Sequence, residues 1–150
     1  MTALRRLLAC LSLGAGAAAA QELPPLEDSF DETVIMIVAA AACHRFDVYL
    51  ALDRDQQRRG LMFVRDLPER RGMLFVHQDD SFLSMWMKNT LIPLDMLFVR
   101  ADLTIASIAE DTEPQSLRSV GASEPVRYVL ELNAGTSRKL GIRPGDRLVL

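Results

Sequence analysis

The chain has 150 residues, of which 49% are hydrophobic and 25% charged, with a net charge of −3. That is enough chain for one ordinary hydrophobic core. An acidic chain without basic clusters excludes nucleic acid and anionic membrane surfaces as expected partners, and leaves a small molecule or another protein.

The first residues, MTALRRLLACLSLGAGAAAAQE, place Arg5 and Arg6 before an apolar run at 7–17 and the small-residue triplet Ala18-Ala19-Ala20. This is the pattern of a secretory signal peptide over residues 1–20, with cleavage expected after Ala20. A lipoprotein site at Cys10 fits less well, because only three apolar residues precede that Cys. The apolar run is too short and too rich in Gly and Ala for a retained membrane anchor, so no integral membrane segment is expected after cleavage. Removing Arg5 and Arg6 takes the net charge from −3 to −5 and leaves Cys43 as the one cysteine. The expected product is an exported domain, periplasmic or extracellular, with no internal disulfide and an inert, buried Cys43 thiol.

Residues 21–33 carry Pro-Pro and several acids without periodicity and read as a flexible leader to a single β-rich domain over 34–150. Residues 34–38 form a short β-type run, and 44–52 alternate as a second strand. Asp53 is a suitable N-cap and Gly60 a stop for a two-turn helix between them. Further strands are expected at 72–77, 83–89, 94–100, 104–109, 127–132 and 146–150, with turns at Asp79-Asp80 and Ala101-Asp102. The polar stretch 110–125 reads as a long loop, and 136–140 as a helical turn stopped by Gly141. Many short strands with one or two small helices predict a mainly β fold, a single-domain sandwich or partly open, jelly-roll-like barrel.

Six motifs occur in one order: GLMF at 60–63, LP at 67–68, GMLF at 72–75, WMKNTLIPLD at 86–95, VLELNAG at 129–135 and GIRPGD at 141–146. Together they resemble the small exported proteins of the domain of unknown function 192 family, over about residues 44–150. The resemblance implies a compact β-sandwich, often behind a signal peptide, and brings no activity, substrate or cofactor with it. Two departures stand out. Ala39 to Cys43 replace a polar turn, which implies a more buried first hairpin here. Val64 stands where an Arg often follows GLMF, with Arg65 next to it.

The segment at 86–95 carries the most chemistry. If it is extended, Trp86 and Lys88 share one face and Met85, Met87 and Asn89 the other. Pro93 fixes a bend that Asn89, Thr90 and Asp95 can brace through backbone hydrogen bonds. Trp86 and Lys88 would then stand at the rim of a shallow cleft, with Asn89, Asp95, Arg59 and Glu131 as further binding residues. Glu131, in the middle of VLELN, reads as an acid on the solvated face of an edge sheet.

The expected function is therefore a non-catalytic ligand-binding or accessory domain. One alternative is a small hydrolase or lyase in which Asp95 works with Glu131 or His77, since acid–base chemistry needs two such groups in reach. A second is a periplasmic Cu(I) protein using Met85, Met87 and His77, because thioethers suit that ion. Met62, Met73, Met85, Met87 and Met96 also serve well as plain core filler. No zinc spacing or Gly-x-Ser-x-Gly elbow is present, and no cofactor or catalytic residue is assigned.

Overall fold

The computed structural model describes residues 23–150. The expected signal segment and Cys10 lie outside the described residues. Nine strands and two short helices follow one another: β1 Asp31–Val38, β2 Cys43–Ala51, α1 Arg54–Arg59, β3 Arg71–Ser81, β4 Ser84–Met85, β5 Leu94–Val99, β6 Ile105–Ala109, β7 Val120–Gly121, β8 Val126–Asn133, α2 Thr136–Leu140 and β9 Arg147–Val149. The fold is mainly β, as the alternation predicts. Among the described residues no helix is long and apolar enough to cross a membrane.

Seven strands form one mixed sheet in the order β6-β5-β8-β3-β2-β1-β9, and β4 pairs with β7 in a separate ribbon. The large sheet curls into a half-barrel. A bridge between Thr104 and Arg147 brings its two edges together. Each strand therefore has an inside and an outside. Ile35, Phe46, Leu74, Leu97, Leu130 and Leu148 fill the inside. Tyr49, Met73, Phe75, Met96 and Val129 lie on the outside, under Phe30, Leu61, Leu67 and Met87 from segments that cross over it.

The crossing follows from topology. β2 and β3 are parallel neighbours, and a parallel pair needs a crossover instead of a tight turn. The chain makes it with α1 and residues 60–70. Asp53 caps α1 by accepting from the backbone N–H groups of Asp55 and Gln56, and Gln56 completes a capping box. Gly60 ends the helix at φ 47°. A Cβ there would lie 3.2 Å from the Phe75 ring, so both backbone and space require glycine.

Several sequence expectations need correction. The strand expected at 83–89 shortens to β4, because residues 86–93 bend over the sheet and pair with other loops instead of a ladder: Met87 N–H donates to Ser116 O and Gln115 N–H to Thr90 O. The turn expected at Asp79-Asp80 is absent. β3 runs on to Ser81 through a register shift after Val76. Residues 110–125 contain β7. The leader expected over 21–33 is packed where it is described: Phe30 is buried, Ser29 bonds back to Pro25 O, and β1 begins at Asp31. Cys43 is exposed, not buried. Ala40 to Ala42 at the hairpin tip are exposed too, so the apolar turn does not bury the first hairpin.

Candidate functional site

The outer face of the sheet carries one acid at its centre. β8 lies between β5 and β3, and Glu131 pairs with Met96 on one side and Met73 on the other. Both methionines are fully buried, and Glu131 itself is 4% exposed. It is not on a solvated edge, because β8 is an interior strand. No charge or hydrogen bond among the described residues offsets the loss of water, and burial alone pushes its carboxyl pKa up to about 8. Gly72 lets the neighbouring strand approach: a Cβ there would lie 2.6 Å from the Glu131 carbonyl oxygen.

Glu131 floors a cavity of about 100 Å³ walled by α1 and the turn after it, through Arg59, Leu61 and Met62, and by Met85, Trp86 and Thr90 from the facing segment. Outside lies a wider, shallow depression of about 420 Å³ that shares Arg58, Arg59, Met62 and Trp86 with the cavity and adds Leu23, Phe63, Lys88 and Asn89. Trp86 borders both cavity and depression. It is 47% exposed, and the Lys88 ammonium lies 5.1 Å from its ring centroid, within cation–π reach. Trp86 and Lys88 thus both line the outer depression.

Phe63 presents a second ring to solvent, 54% exposed, from a backbone at φ 63°. A bulky residue in that region is strained. Asn89, at φ 57°, fixes it: its carbonyl accepts the Phe63 N–H at 2.8 Å, and its amide lies 3.8 Å from the Met62 sulfur. Asn89 is therefore a brace between the two walls as well as part of the lining.

Arg59 is held from behind. Its terminal nitrogens donate to Ser29 Oγ and Pro24 O, and its guanidinium stacks 5.3 Å from the Phe30 ring centroid. Its Nε is buried and without a partner among the described residues. Burial lowers its pKa, but a guanidinium stays charged in proteins.

Asp95 does not line the cleft. It pairs with Leu132 on β8, so alternation turns it to the opposite face from Glu131. There it is fully buried. One carboxylate oxygen accepts the N–H groups of Asp111 (3.0 Å) and Gly135 (3.1 Å), and the other accepts that of Ser137 (2.8 Å). α2 has no side-chain cap of its own, and Asp95 supplies one from a neighbouring strand. It is a brace and not a ligand contact, and the paired-acid reading with Glu131 fails because a sheet separates the two groups.

His77 does not line this cavity. Its Nε2 is buried without a partner, and burial lowers its pKa. The three Cu(I) candidates are also not gathered at this cavity, which Met85 alone of them lines. Met85 is partly buried in the cavity wall, while Met87 is 1% exposed and its sulfur takes the Thr112 hydroxyl at 3.2 Å. The residues that sequence reasoning missed are Leu61, Met62, Phe63 and Thr90. For the first three the signal was present in the GLMF motif, which carried the family resemblance without a role; Thr90 stands in the 86–95 segment, where it reads only as a brace.

A family model for DUF192, described as uncharacterized ACR, matches residues 35–150. The chain belongs to this family. A solved protein from Sinorhizobium meliloti 1021, proposed to be a transcription regulator, is 44% identical and superposes with a TM-score of 0.79 over 81% of this chain and 95% of its own. A solved protein of unknown function from Novosphingobium aromaticivorans DSM 12444 is 32% identical, with a TM-score of 0.81 over 91% and 99% of the two chains. No curated protein matches.

Proposed function

We propose that this DUF192 protein is an exported, non-catalytic binding or accessory domain, periplasmic or extracellular, whose ligand enters the cleft beside Trp86 and reaches Glu131. Residues 1–20 support the export. One observation carries the binding reading: an acid 4% exposed, with nothing to pair with, faces a cavity between an exposed Trp and an Arg with an orphaned Nε. Buried polar groups are normally satisfied, and a buried acid without a partner at a cavity wall is a place for a ligand to supply one. Keeping a carboxyl there costs stability, which the fold would not retain for packing alone.

A carboxyl with a pKa near 8 also suits proton transfer near neutrality. Glu131 is, however, the one acid or histidine on the cavity wall, so a two-carboxylate hydrolytic arrangement is not supported. The test is an amide-shift map of the labelled protein under a panel of small acids, amines, amides and sugars. Shifts concentrated at residues 57–63, 84–90 and 131 are expected for at least one class. Hits clustered elsewhere, or none at all, would overturn the cleft as the binding site.

A further inference from the structure

The chemistry of the cleft narrows the ligand, given the reading above that it is a binding site. Its lip is cationic: Arg58, Arg59 and Lys88 surround the depression, with Asp55 as the one acid there. Asp55 lies 3.5 Å from Arg58, so it offsets that charge and leaves Arg59 and Lys88 uncompensated. Arg59 bonds to a hydroxyl and a carbonyl, and among the described residues no carboxylate lies within ion-pair distance of it. Behind the lip the surface is apolar, with Trp86, Phe63, Met62 and Leu23 exposed or half-exposed.

We infer that the cleft takes an apolar monocarboxylate, its carboxylate seated against the Glu131 carboxyl beside the Arg59 guanidinium and its chain lying along Trp86, Met62 and Phe63. Glu131 then gains a partner. The Arg59 guanidinium, with no carboxylate of its own, supplies the opposite charge beside the ligand. A neutral Glu131 donates its O–H to a ligand oxygen, and an ionised Glu131 would repel it. The cavity of about 100 Å³ suits a head group with a few carbons, and the shallow depression suits the remainder. An ammonium ligand would meet the cationic lip, and a neutral alcohol would leave Arg59 uncompensated.

The groups facing Glu131 make its ionisation readable. Met73 and Met96 flank it on the adjacent strands. Arg58 and Arg59 face it from α1, the Trp86–Thr90 wall adds no titratable group to the cavity, and Lys88 and Asp55 stand farther out. Neither arginine titrates in the working range.

The experiment follows fluorescence of Trp86, the sole tryptophan, while hexanoate, hexylamine and hexanol are titrated into the full mature chain. Hexanoate should bind saturably at pH 7 and at least about tenfold more tightly than the other two. Its affinity should fall by up to about tenfold per pH unit above pH 8 in the wild type and stay level in Glu131→Gln, which keeps the shape and donates at every pH. Arg59→Gln should weaken it about tenfold or more, with circular dichroism confirming the fold. An N-acetylated leucine dipeptide with a free C-terminus, run alongside, distinguishes a free acid from a chain terminus as the source of the carboxylate. Equal binding of hexanol or hexylamine, silence of hexanoate, or the same pH profile in Glu131→Gln would overturn the inference. Silence of hexanoate with other panel fragments still striking this cleft would leave the binding reading standing.

Discussion

Replacing Glu131 with Gln should stabilise the protein at neutral pH. Glu131 has a pKa near 4.5 in the unfolded chain and about 8 in the fold. A raised acid pKa means that the folded state holds a proton the unfolded state has released. The stability this group contributes is therefore fully present below pH 4.5, declines as pH rises, and is gone at about pH 8. The slope is roughly 1.4 kcal/mol per pH unit, which accumulates to about 3 kcal/mol by pH 7. Gln carries no proton equilibrium, so in the difference between wild type and variant the other titrating groups cancel. Urea unfolding followed by circular dichroism, at unit steps from pH 4 to 9 with reductant to keep the exposed Cys43 free, reads that difference directly. The wild type should lose ground to Glu131→Gln steadily across this window and stop losing above pH 8. Parallel curves would mean that Glu131 titrates normally, and the buried, unpartnered acid would not exist.

Other substitutions separate brace from rim. Asp95→Ala leaves three backbone N–H groups without their acceptor and should cost about 3 kcal/mol or more in urea unfolding, whereas an unchanged midpoint would remove Asp95 as the cap of α2. Trp86→Ala should change stability by no more than about 1 kcal/mol, since half the ring is in water. A loss of about 3 to 5 kcal/mol would make it a core aromatic. Gly72→Ala forces a Cβ against the Glu131 carbonyl and should lower the thermal midpoint by several degrees. An unshifted midpoint would show that β3 and β8 can part freely.

The sequence was most legible where local chemistry decides. Asp53 and Gly60 bound α1 as expected, and the alternation at 44–52 gave β2. Trp86 and Lys88 lie side by side, the ammonium 5.1 Å from the ring centroid, although the strand that was to align them is only two residues long. What stayed hidden depends on long-range pairing. An acid in VLELN has the same local pattern on an edge strand as on a central one, and only the order β5-β8-β3 buries it. A clue was nonetheless present, because Val129, Leu130 and Leu132 make the stretch apolar on both faces, as interior strands are. Asp95 was misplaced for a related reason. Its separation from Glu131 rests on a register that pairs Asp95 with Leu132, and a shift of one residue would have put both acids on one face.

The most direct test of the cleft is the carboxyl carbon resonance of Glu131, titrated with and without hexanoate. In the free protein its midpoint should lie near pH 8. Saturating hexanoate should move it higher still, because a bound carboxylate favours the protonated partner. A midpoint near 4.5 would contradict the burial, and a midpoint near 8 that hexanoate does not move would contradict the seat assigned to the ligand.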